Sequence, residues 1–205
     1  MIALRGVTKR FGDEVVLAGF DLDLDPGALT AVMGPNGSGK TTLGRLLLGL
    51  ERPDAGTIVG LEGRRRAAVF QEDRLCEQLT AVGNVRLVLD RTVPTSVVID
   101  ELRRVGLDDE SLDKPVRELS GGQRRRVAIV RALIAPAELI ILDEPFTGLD
   151  VEAKSAVMAH VRERCAGRTT VLITHDRAEA EWFGARVVDL THSVGAEPSG
   201  PDRRG

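Results

Sequence analysis

One segment constrains the fold of this chain more than any other. Gly34-Pro35-Asn36-Gly37-Ser38-Gly39-Lys40-Thr41 fits the pattern G-x-x-x-x-G-K-[ST]. Just upstream, Leu29–Met33 is an apolar-rich run of strand length. Downstream, Leu43, Leu46, Leu47 and Leu50 fall at i, i+3, i+4 and i+7, the stripe of an amphipathic helix. A strand that feeds a glycine-rich turn and then a helix aims successive backbone N–H groups at one point, where phosphate oxygens bind. Lys40 can then reach the β- and γ-phosphates, and the Thr41 hydroxyl is placed for Mg²⁺. Thr42 adds a further hydroxyl towards the phosphates. Alone, the segment predicts a nucleoside triphosphate and says nothing of its use. Gly44, inside the helix, is unfavourable by about 1 kcal/mol relative to Ala, which points to tight packing.

The remaining chain reads as α/β. Residues 15–25 alternate, with Phe20, Leu22 and Leu24 set against Asp21, Asp23 and Asp25, the period of a half-buried strand. Residues 57–60 and 67–70 are short strand candidates. From Thr80 to about Arg117 the pattern turns helical, over 81–89 and over 97–105, where Gly106 closes the second segment. A long helix follows Gly121, with Val127, Val130, Leu133 and Ile134 inward and Pro136 past its end. Residues 139–142 and 170–173 are continuous apolar runs, the mark of parallel strands covered on both faces. Val151–Cys165 is the helix between them. Residues 191–205, rich in Gly, Pro, Ser and charge, predict a disordered tail.

Composition excludes some classes. The net charge of the 205 residues is -3, so nothing electrostatic suggests a nucleic-acid binder. Two arginine triplets, Arg64-Arg65-Arg66 and Arg124-Arg125-Arg126, read as solvated faces. Cys76 and Cys165 lie far apart in no metal-ligand pattern and read as reduced thiols of a cytoplasmic protein. The first residues show no signal-peptide pattern, and no stretch approaches the roughly 20 apolar residues of a membrane span. Any service to a membrane would require docking onto a protein that crosses it.

Three more positions complete a hydrolytic site. Asp143 and Glu144 end the aliphatic run Leu139-Ile140-Ile141-Leu142, and in a parallel sheet the carboxyl end of a strand is where ligands bind. Asp143 would hold Mg²⁺, and Glu144 would orient or deprotonate an attacking water. His175 follows the strand at 170–173 after only Thr174, which places it on the same edge, near a γ-phosphate. Gln71, after Val69-Phe70, is a candidate for Mg²⁺ or the water.

At Leu119-Ser120-Gly121-Gly122-Gln123 the chain resembles the signature of ABC ATPases. Ser120 can cap a helix, while Gly121 and Gly122 bare their N–H groups to an anion. The resemblance covers about residues 2–190. It implies that Phe11 stacks on adenine, that residues 34–42 are the Walker A loop and that Gln71 is the Q-loop. It further implies that Ile140 to Glu144 are the Walker B segment, Gly148-Leu149-Asp150 the D-loop and His175 the switch histidine. The implied fold is a P-loop NTPase core with a mostly parallel central sheet, an N-terminal antiparallel β subdomain and a helical insert subdomain at about 79–135. In the family, the signature faces the Walker A loop of a second cassette, so ATP is clamped in a head-to-tail dimer. Departures are a short stretch between Thr57 and Gln71 and Gly148 where many relatives carry Ala.

Val69-Phe70-Gln71-Glu72-Asp73-Arg74-Leu75 looks like the ATPases of nitrate, sulfonate and taurine importers, although Glu77-Gln78 stands where that group often has Pro-Trp. The resemblance implies an ATP-hydrolysing transporter subunit on the inner face of the cell membrane. Its partners would be transmembrane permease subunits, a second cassette and a solute-binding protein. The alternative is a soluble ABC-type ATPase acting on nucleic acid or ribosomes, but such relatives usually carry two cassettes or long inserts. A P-loop small-molecule kinase would lack the signature.

Overall fold

The computed structural model describes residues 1–190, so the tail predicted over 191–205 lies outside the described residues. Strands β1 (Ile2–Phe11) and β2 (Glu14–Leu24) form an antiparallel hairpin in which Leu4 faces Leu22 and Val7 faces Phe20. The alternation read over 15–25 has a local cause. Phe20, Leu22 and Leu24 are buried, while Asp21 accepts a hydrogen bond from the Gly6 N–H and Asp23 pairs with Arg5. Strand β3 (Leu29–Met33) leads through the glycine loop into α1 (Lys40–Leu48). Strand β4 (Ala55–Val59) then returns to the free edge of β1, which completes a sheet of order β2-β1-β4.

Strand β5 (Arg66–Val69) opens the second sheet. The helices α2 (Ala81–Arg86), α3 (Thr95–Arg104), α4 (Asp109–Asp113) and α5 (Gly121–Ile134) follow. Next come β6 (Leu139–Asp143), α6 (Val151–Cys165), β7 (Thr169–Ile173), α7 (Arg177–Trp182) and β8 (Arg186–Asp189). The strand order is β5-β6-β7-β3-β8, parallel throughout.

Strands β6 and β7 are buried along their whole length because both faces are covered. Ile140, Leu142 and Leu172 join the core with α5 and α6, through Val127, Leu133, Val157 and Val161. Leu139, Ile141, Val171 and Ile173 point the other way, onto Leu43, Leu46 and Leu47 of α1. Full burial of each leucine contributes about 1.5–3 kcal/mol. The packing expected at Gly44 is present: a Cβ there would lie 3.2 Å from Ile141 Cγ2 and 3.3 Å from Ile173 Cδ1.

Some expectations need correction. Helix α1 ends at Leu48 because Gly49 adopts a left-handed backbone (φ 72°), so Leu50 falls beyond the cap and is 58% exposed. Helix α2 stops at Arg86 rather than at 89. Ile134 is only half-buried. The solvated-face reading fails for two arginines. Arg66 donates to the carbonyls of Leu48 and Leu61, and Arg125 is buried, 4% exposed.

Candidate active site

The sheet brings the carboxyl ends of β3, β5, β6 and β7 to one edge, with the loop before α1 above them. A cleft of about 450 Å³ opens there. Phe11 and Val16 line one part, Asn36, Gly37, Gly39 and Lys40 the loop side, and Thr41, Thr42, Gln71, Asp143 and Glu144 the remainder. Nine of the predicted positions thus meet Phe11 around a single cavity.

The loop fits a polyphosphate. Helix α1 begins at Gly39, whose left-handed backbone (φ 93°) supplies no side-chain cap, so first-turn N–H groups are left for an external anion. A Cβ at Gly39 would sit 3.0 Å from the Val16 carbonyl oxygen, so only glycine lets the loop pass that close to β2. Ser38 Oγ is buried without a partner. Lys40 Nζ donates to the carbonyls of Gly34 (2.8 Å) and Pro35 (2.7 Å), which folds the ammonium back over its own loop. An orphaned hydroxyl, bare N–H groups and a cation held by two weak carbonyl acceptors make a donor set suited to phosphate oxygens.

The floor suits a hard divalent cation. Thr41 Oγ1 donates to Asp143 Oδ2 at 2.9 Å, which sets a hydroxyl and a carboxylate side by side. Burial raises the Asp143 pKa above the ordinary carboxylate range; the Thr41 hydrogen bond opposes this, and the Glu144 charge adds to it. A bound cation would relieve that penalty. Hydroxyl and carboxylate oxygens are ligands that Mg²⁺ accepts beside phosphate oxygens.

Glu144 is held in a strained position. Its φ is 49°, uncommon for a residue with a Cβ, and its N–H donates to the Ile173 carbonyl at 2.9 Å. The carboxylate contacts His175 Nδ1, whose pKa is raised by the hydrogen bond to Glu144 and then by its charge. His175 itself is 72% exposed at the mouth of the site. Its loop is braced from both sides. Thr174 Oγ1 donates to the buried Glu179 (2.6 Å), and Lys154 of α6 pairs with Glu179 (2.7 Å) and Asp176 (3.2 Å).

The signature residues do not line this cleft. Ser120 caps α5 in a capping box: its Oγ accepts from the Gln123 N–H, and its own N–H donates to Gln123 Oε1. The Gln123 amide nitrogen donates to Ser111 Oγ, so this side chain is spent within the chain. Ser120 and Gly121 are exposed, with open space above Gly121.

Phe11, half-exposed, has the Lys9 ammonium 5.1 Å from its ring centroid. Sequence reasoning missed Arg125, Lys154 and Glu179. Arg125 had one available signal: it shares a helical face with Ala128, Ile129 and Ala132, all buried.

A parallel sheet with a glycine loop leading into a helix, and an Asp-Glu pair at the carboxyl end of the buried strand β6, defines a P-loop NTPase. The family model described as ABC transporter matches residues 17–147, and the chain belongs to that family. The Fe(3+) ions import ATP-binding protein FbpC of Mesorhizobium japonicum is 38% identical, over 91% of this chain and 56% of that protein. The aliphatic sulfonates import ATP-binding protein SsuB 1 of the same organism is 42% identical, over 92% of this chain and 75% of that protein. The chain thus spans little more than half the length of the iron-import relatives. A solved dimeric structure of the ATP-binding cassette MJ0796, in a post-hydrolysis state bound to ADP and Pi, matches with a TM-score of 0.82 and 28% identity. That match covers 92% of this chain and 94% of the other.

Proposed function

We propose that this chain is the ATP-hydrolysing subunit of an ABC importer, with residues 1–190 as the cassette and about 79–135 as its helical subdomain. The observation that carries the activity is the meeting of Lys40, the Thr41–Asp143 pair and Glu144 around one cleft. ATP with Mg²⁺ supplies the scissile phosphoanhydride and the cation that neutralises its developing charge. Lys40 and the loop N–H groups grip the phosphates, and Phe11 offers an aromatic face to the base. Thr41, Asp143 and Gln71 furnish the oxygens for the cation. Glu144 accepts a proton from the attacking water, and His175 holds the Glu144 carboxylate and faces the γ-phosphate.

The chain acts as one half of a head-to-tail pair in which Ser120, Gly121 and Gly122 of the other cassette close the site, with Gln123 holding Ser120 in place through the capping box. Transmembrane permease subunits and a solute-binding protein complete the system, with the cassette on the inner face of the membrane. Among the described residues no helix is long and apolar enough to cross a membrane. The names of relatives support import, and the sulfonate importers among them support the nitrate, sulfonate and taurine group. Phosphate release from ATP by the purified protein tests the activity. Glu144→Gln should retain ATP binding and lose turnover by about 10²–10⁴-fold; unchanged turnover removes Glu144 from this role.

A further inference from the structure

Arg125 makes six hydrogen bonds to the segments behind the site, yet it does not itself line the cleft. It lies on the buried face of α5 with its guanidinium pushed between two segments. Towards β5, Nη1 donates to the carbonyls of Phe70 (2.5 Å) and Gln71 (3.3 Å) and to Asp73 Oδ1 (3.1 Å). Towards β6, Nη2 donates to the carbonyls of Asp143 (3.0 Å) and Glu144 (2.5 Å), and Nε to that of Pro145 (3.0 Å). One planar fork therefore fixes the main chain that bears Gln71, Asp143 and Glu144.

Burying a cation among carbonyls with a single carboxylate beside it is poor economy for stability alone, since a well-packed apolar side chain would serve as well or better. Orientation is what the fork supplies. Glu144 has a left-handed backbone, a state that surroundings must enforce. Three contacts enforce it: the Ile173 carbonyl accepts the Glu144 N–H, and the Glu144 carbonyl accepts from Arg125 (2.5 Å) and, over a longer distance, from the Thr147 N–H (3.3 Å). With Arg125 gone, the Glu144 carbonyl keeps only the longer bond from the Thr147 N–H, which leaves the 144–145 peptide room to tilt and carry the carboxylate out of line with Gln71. A lysine cannot replace the fork, because one point charge reaches only one side.

We infer that Arg125 is a positioning residue for hydrolysis: it holds Glu144 and Gln71 in register with each other by clamping their backbones together. The inference rests on the proposed ATPase activity. Arg168 provides a control, since its guanidinium likewise donates to main-chain carbonyls, those of Leu133 (2.9 Å) and Ala135 (3.2 Å), neither of which belongs to the site. Arg125→Gln and Arg168→Gln are compared in the full chain for ATP affinity by calorimetry, for kcat and KM, and for Tm. The expected result for Arg125→Gln is a kcat lowered about 10²-fold, the scale of a displacement of about 1 Å at a reacting group. Its KM and ATP affinity stay within about threefold of the parent, because the loop around Lys40 is untouched, while Arg168→Gln keeps the parent kcat. If Arg125→Gln does not fold, Arg125→Lys is measured; a kcat lowered at least tenfold with KM unchanged supports the inference, and a parental kcat overturns it. A parental kcat in folded Arg125→Gln, or equal loss in both glutamine variants, overturns it as well. If the parent protein releases no phosphate, the ATPase proposal itself has failed, and that outcome is distinct.

Discussion

Nδ1 of His175 lies 2.9 Å from both carboxylate oxygens of Glu144. The residue proposed to take a proton from water is thus already engaged by a group that titrates near neutrality. The raised His175 pKa has a definite consequence. The pair contributes fully below about pH 6.5, the value of a free imidazole, and is lost as pH rises through the raised value. An NMR titration of the nucleotide-free protein should place the His175 pKa above that of a free imidazole. Glu144→Gln should bring it back down, because the carboxylate charge is lost and the amide oxygen that replaces it is a weaker acceptor; no change in the variant would exclude the contact.

Lys40 spends its ammonium on two loop carbonyls, acceptors weaker than a phosphate oxygen. Lys40→Ala should therefore weaken ATP binding about 10–100-fold, the equivalent of about 1.5–3 kcal/mol for a hydrogen bond to a charged group. Calorimetry with ATP and magnesium measures this directly. Parental affinity would mean that the loop N–H groups alone hold the phosphates.

Asp143 is a carboxylate whose burial works against its charged form. An acid with a raised pKa lowers stability once pH exceeds that raised value, and not at all below its ordinary range. Asp143→Asn should accordingly raise the Tm of the nucleotide-free protein at neutral pH, with the gain vanishing at acid pH. Hydrolysis should fall about 10²–10³-fold, the scale of losing one electrostatic stabiliser. A lower Tm at neutral pH would show that the Thr41–Asp143 pair serves chiefly as a structural link.

Lys154 ties α6, the helix capped by Asp150, to the loop that carries His175. Lys154→Ala leaves the buried Glu179 with only Thr174, at a cost of about 1–3 kcal/mol. In a chain of this size that amounts to a fall of several degrees in Tm, read by thermal melting. Lys154→Arg should recover most of it. An unchanged Tm in the alanine variant would mean that water takes the place of the ammonium.

What could be read in the sequence follows the range of the interactions. The turn from β3 into α1 was legible because glycine spacing and leucine periodicity are local properties. Leu50 fits the stripe as well as Leu47 does, but the left-handed Gly49 ends the helix first, and hydrophobic spacing does not register a cap. Helices α4 and α7 are five and six residues long, too short to show a period. Asp143, Glu144 and His175 were visible because each follows an apolar strand. Arg125 was hidden between Arg124 and Arg126, where charge outweighed the buried face it shares with Ile129. Glu179 and Lys154 meet only once α6 and α7 are packed, and nothing in their spacing announces it.

In the proposed dimer a triphosphate is gripped by the loop around Lys40 on one copy and by the exposed cap around Ser120 on another. The most direct measurement is the solution mass of Glu144→Gln with ATP and magnesium, by light scattering on a sizing column, with and without Ser120→Arg. The expected result is a dimer holding two ATP for the single variant and a monomer that still binds ATP for the double variant. A dimer of unchanged strength in the double variant would mean that the cap around Ser120 does not touch the nucleotide.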